Sequence, residues 1–171
     1  MEILKYNPCS KSIEFRKQFN TFEEAWNNCQ RGDWMLWLAE KLNIDDRILI
    51  LAKGYCAKTI YHLMIDKRSR DAVIGAINYG KGRISREELN KITANAAANA
   101  AANAVAVAVA AVAAANANAA AAAANAAAAA NAAAAAAVAA VAAKTKNQKK
   151  TADICRKYLT KAVFEKLNIN L

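Results

Sequence analysis

Histidine occurs once in this chain, at position 62, cysteine only four times, and the fifty residues from Ala94 to Ala143 hold no charge, no aromatic ring, no glycine and no proline. Each shortage removes a class of chemistry. His62 follows Cys56 by six residues, a rotation of about 600° on a helix, which puts the two on different faces. A Cys/His nucleophile pair or a shared metal site is therefore not expected. Cys9, Cys29, Cys56 and Cys155 are scattered without a CxxC pair, the pattern of free, buried structural thiols in a reducing compartment. The start MEILKYNPCSKS has no apolar leader core, so the expected location is cytoplasmic. Phosphate loops and dinucleotide fingerprints are missing too, since "YGKGR" at 79–83 is too short and follows no strand. The carboxylate pairs at 23–24, 45–46 and 87–88 sit at predicted helix starts, where the positive end of the helix dipole accounts for them without catalysis. No catalytic residue, metal ligand or cofactor site is assigned, and an enzyme is not expected.

The charge-free run raises the question of a membrane span. Asn at 95, 99, 103, 116, 118, 125 and 131 interrupts it, leaving Asn-free pieces of at most twelve residues, against the roughly 18 or more mainly apolar residues a span needs. Alanine has the highest intrinsic helix propensity and no side-chain entropy to lose, so the run is predicted to be helical and to contact no membrane. A single helix of that length would reach about 75 Å, longer than a chain this size can cover. A hairpin is therefore expected near Asn116 and Asn118, residues that tolerate the left-handed conformation at a helix end; Asn125 or Asn131 could mark a further break.

Large apolar side chains gather on both sides of the run. "TFEE" at 21–24 is a capping box opening a helix to about Cys29, with Gly32 as a stop and Asp33 as the next N-cap. "WMLWLAEKL" follows, then a long core helix over 47–64 in which Ile48, Leu51, Tyr55, Ile60 and Leu63 recur at helical spacing. A helix from about Ser69 to Tyr79, a turn at Gly80–Gly82 and a second capping box at Ser85 and Glu88 lead into the alanines. "KTKNQKK" at 144–150 is expected to break the chain before a closing amphipathic helix that offers Ile154, Tyr158, Val163 and Leu167 for packing. The reading is one all-α domain, 1–171: an antiparallel helical bundle of about seven helices, with a conventional core in 1–93, an Ala-rich helical hairpin in 94–143 and a basic C-terminal helix in 144–171.

The formal charge is +10, and residues 144–171 carry 8 basic against 2 acidic groups. A positive patch of this kind favours acidic protein surfaces, nucleotides or nucleic acid. The candidate binding residues are Trp34 and Trp37, i and i+3 neighbours on one helical face that could serve as core or as contact anchors. To these we add the basic side chains Lys67, Arg68, Arg70, Lys81, Arg83, Arg156 and Lys157 at predicted helix ends and on the closing helix.

The stretches "TFEEAWNNCQRGDWMLWLAEKL", "RSRDAVIGAINYGKGRISREEL" and "ADICRKYL", with the alanine-dominated region between them, together resemble a family of bacterial and phage-borne immunity proteins. The likeness spans most of residues 19–160, and its sharpest motif is Gly32-Asp33-Trp34 with Trp37-Leu38. It implies a helix-rich fold and a cytoplasmic protein that neutralises a cognate protein toxin by direct contact; it brings no catalytic motif. With the basic tail, an acidic toxin surface is favoured. A phage-type anti-defence protein that sequesters a nucleotide, its phosphates held by Lys and Arg, is the alternative, followed by nucleic-acid binding through the C-terminal helix. The uncharged Ala/Val face also fits a homo-oligomer.

Overall fold

The computed structural model describes residues 2–94 and 126–169. Among these the chain is all-α, with no strand. After a 3-10 turn at Glu2–Tyr6 come α1 (Ser10–Arg16), α2 (Phe22–Asn28), α3 (Gly32–Lys41), α4 (Asp46–Lys58), a 3-10 turn at Tyr61–Leu63, α5 (Lys67–Gly80), α6 (86–94) and α7 (Ala126–Lys166). The expected hairpin near Asn116 and Asn118, and a break at Asn125, lie outside the described residues.

Local chemistry starts α2, α4 and α6 as the sequence predicts. Thr21 and Glu24 form the reciprocal capping box of α2, and Ser85 with Glu88 does the same for α6, with the Ser85 amide donating to Glu88 at 2.7 Å. Asp45 accepts from the Arg47 and Ile48 amides at the start of α4. Thus all three carboxylate pairs contribute a side chain or backbone group to a helix start, where orphan amides need acceptors. Asn43 and Asn168 take positive φ, 49° and 54°, just past α3 and α7, and Gly82 takes 72° in the turn after α5.

Several boundaries differ from expectation. The basic stretch 144–150 does not break the chain, because α7 runs unbroken through it for 41 residues, about 60 Å. Lys and Gln are good helix formers and the segment lacks Gly and Pro, so its polarity changes the solvation of the helix without ending it. For the same reason Asn131 lies inside α7. Conversely α4 stops at Lys58 instead of continuing to residue 64. Thr59 turns its hydroxyl back onto the Cys56 carbonyl at 2.7 Å, a bond that competes with helix propagation. Ile60 and Leu63, which a longer helix would have buried, are 40% and 67% exposed.

The core sits where α7 packs across α3 and α4. Ala152, Cys155, Leu159 and Val163, spaced three or four residues apart, and their neighbour Phe164 are essentially fully buried, against Met35, Leu38, Ala39, Ala52 and Cys56. Gly32 makes this approach possible: a Cβ there would lie 2.7 Å from the Thr151 carbonyl carbon. Gly32 is thus the first residue of α3 and a contact point for α7, not a stop for the preceding helix, and the N-cap is Arg31 instead of Asp33. The α4–α5 hairpin closes in the same manner, with Gly54 against Ile77 and Gly80 against Leu51 and the Arg47 carbonyl. Gly75 faces Leu89 and Ile92 of α6. No helix among the described residues is long and apolar enough to cross a membrane.

Candidate functional site

Seating α7 against α4 aligns two polar seams. The Thr59 hydroxyl and the Asn147 side-chain amide meet at 2.7 Å, the Cys56 and Cys155 sulfurs lie 4.0 Å apart, and the Tyr55 and Tyr158 rings stack at 4.8 Å with a 7° interplanar angle. Contacts ascend α4 as they descend α7, so the two helices run antiparallel.

Lysines bracket the tyrosine pair. The close approach of α5 at Gly80 brings the next residue, Lys81, to α4, with its ammonium 5.6 Å from the Tyr55 ring centre. On the other side Lys157 lies 5.5 Å from the Tyr158 ring centre. The Lys81 ammonium, then a hydrogen bond from Tyr158, then the charge of Lys58 hold the Tyr55 hydroxyl below the usual phenol range. Partial burial, followed by the hydrogen bond to Tyr55, pushes Tyr158 up. The whole is an aromatic stack with two hydroxyls and three ammonium groups around it, the rings offering apolar contact and the ammonium groups a place for a carboxylate or phosphate.

Of the residues singled out from sequence, Lys81 and Lys157 converge here and the others do not. Lys67 pairs with Asp71 at 2.7 Å, and Arg68 lies 3.5 Å from Asp66. The Arg70 side chain donates to the Met64 carbonyl at 2.6 Å and packs over Tyr61. These three brace the entrance of α5. Arg83 is exposed in the turn beyond Gly82. Arg156 donates to the Cys29 carbonyl at 2.6 Å and pairs with Asp153, which ties the end of α2 to α7.

The tryptophans divide. Trp26 is core, its indole donating to Thr160 at 2.9 Å. Trp34 and Trp37 are half-buried and line a cleft of about 500 Å³ with Asn7, Pro8, Cys9, Ser12 and Asp33. The Arg31 guanidinium lies 4.6 Å from the Trp34 ring centre and is itself held by Asp33. Cys29, Cys56 and Cys155 are buried as expected, but Cys9 is exposed, because it precedes the short α1 at the surface instead of facing the core. Hydrogen bonding with Ser12 lowers its thiol pKa, whereas burial raises that of Cys29.

Compared with protein-family models, curated proteins and solved structures, the chain matches none.

Sequence reasoning placed Tyr55 and Tyr158 only as packing residues. Nothing local pairs them, since they come from opposite ends of the chain and meet because Gly32 and Ala152 let α7 settle into the groove. Among the described residues no group of His, Cys, Asp and Glu gathers in a way that could hold a metal ion.

Proposed function

We propose that this chain is an immunity-type binding protein that neutralises a toxin by direct protein–protein contact, and that the tyrosine pair with its lysines is the contact surface. The observation that carries this reading is the stack of Tyr55 on Tyr158 between Lys81 and Lys157. Tyrosine is among the residues that dominate binding energy at interfaces, combining a large apolar face with a polar tip. The stack is held by two long core helices, so little ordering is needed when a partner docks. Surrounding ammonium groups select an acidic surface and speed its capture. The toxin as partner class rests on the resemblance of the Gly32-Asp33-Trp34 region to immunity proteins.

A nucleotide is the second reading, because the same rings could stack a base while the lysines take phosphates. Co-expression separates the two. A toxic product of a neighbouring gene should be rescued by this chain, and Tyr55→Ala with Lys81→Glu should weaken the purified complex about thirtyfold or more, the scale of an interface hot spot. Equal rescue and affinity in that variant would remove the surface assignment. A nucleotide panel that raises the melting temperature through this site would move the conclusion to the second reading.

A further inference from the structure

The end of α4 leaves three aliphatic side chains in water. Ile60, Leu63 and Ile65 are 40%, 67% and 97% exposed, all within the connection, residues 59–66, that joins α4 to α5. Together they make this connection an apolar tip at the end of α4. The Thr59–Asn147 hydrogen bond fixes this tip against α7. One helical turn from Asn147, on the same face and toward the tip, stands Lys144, which is exposed, as are Lys146 and Lys58. Along α7 the first acidic residue is Asp153, so positive charge beside the tip is unopposed on that helix. The acids on the other side are engaged, Asp71 with Lys67 and Asp66 with Arg68.

We infer that the Ile60–Ile65 turn and the adjoining lysines of α7 form a docking surface for an anionic lipid bilayer, which the protein meets from the side without spanning it. Charge complementarity supplies the first reason: ammonium groups beside a lipid-facing tip add attraction to acidic headgroups, roughly fivefold in partitioning for each lysine. Shape supplies the second. Exposed aliphatic chains in one short connection need a matching pocket in a protein partner, whereas acyl chains close around them without one. Each aliphatic chain moved from water into the acyl boundary strengthens partitioning roughly tenfold or more.

The full chain sedimented with vesicles tests this. Vesicles of phosphatidylcholine mixed with phosphatidylglycerol should retain the protein at low salt and release it as salt rises, and phosphatidylcholine alone should retain far less. Leu63→Ser with Ile65→Ser should weaken retention roughly a hundredfold, and Lys144→Gln with Lys146→Gln roughly twentyfold. Unchanged helical circular dichroism and urea midpoints show that the variants fold. No retention at low salt overturns the inference. So does equal retention of the serine variant, which would mean surface adsorption by lysine alone. Capture of a protein on this tip with vesicles left unbound assigns the surface to that other occupant and overturns it as well.

Discussion

Replacing Gly32 by alanine asks whether the close seat of α7 organises this fold. Gly32 occupies the first position of α3 in helical conformation. On helix propensity alone the substitution should stabilise, by about 0.5–1 kcal/mol, since alanine restricts the unfolded chain and favours helix. Packing opposes this. The new Cβ would stand 2.7 Å from both the Thr151 carbonyl carbon and its Cβ, and neither atom can swing away as the end of a flexible side chain would. The α3–α7 interface must open by several tenths of an ångström, next to fully buried Ala152 and Cys155. Overpacking of this kind costs about 1–3 kcal/mol. Subtracting the propensity gain leaves a net loss of about 0–2.5 kcal/mol, centred a little above 1 kcal/mol. In urea unfolding, with a slope of about 1–3 kcal/mol per molar, a loss of about 1 kcal/mol lowers the midpoint by about 0.3–1 M at unchanged slope. A midpoint that stays or rises would refute the reasoning, because it would mean that α7 does not press on Gly32. Gly54→Ala provides the comparison: its nearest obstacle is the Ile77 side chain at 3.0 Å, which can yield, so its loss should be smaller.

Two further outcomes follow from the electrostatics. Lys81→Met removes the principal group that keeps the Tyr55 hydroxyl below the usual phenol range, so ultraviolet difference titration should show the earliest-ionising tyrosine move to higher pH; an unmoved titration would detach Lys81 from the site. Asp33 is held below its ordinary carboxylate pKa, first by hydrogen bonds from Arg31. Its contribution to stability is therefore complete above the unfolded-state pKa and disappears as pH falls through the lowered folded-state value. Both partners are well exposed, so the wild type should exceed Asp33→Asn by less than about 1 kcal/mol at neutral pH, with the difference shrinking in urea melts below about pH 4; a difference that grows with acid would contradict the sign.

The starts of α2 and α6 were legible because each is written within four consecutive residues, whereas that of α3, expected at Asp33, has no side-chain cap and was not. Thr21 with Glu24, and Ser85 with Glu88, satisfy orphan amides through bonds that depend on no distant part of the chain. Two further boundaries were not legible, for opposite reasons. At 144–150 polarity suggested a break where the backbone preference is helical, and contacts from Thr59 and Gly32 to Asn147 and Thr151 hold that segment in α7. At 59–64 the apolar period continued past the true helix end, and only the structure exposes Ile60 and Leu63. The candidate site followed the same division. Lys81 and Lys157 could be named from charge and position, yet their shared target could not, because neither tyrosine carries a local sign of the other.

By itself the sequence determined that the described residues are helical, where α2, α4 and α6 begin, and which apolar stripes seek burial, since propensity, capping and periodicity act within a turn or two. Tertiary structure decided which stripes meet, that Gly32 and Gly80 set how closely helices approach, and that Tyr55, Tyr158, Lys81 and Lys157 share one surface. Packing is a property of pairs of helices, and the atoms that permit or forbid it lie too far apart along the chain for any local pattern to record.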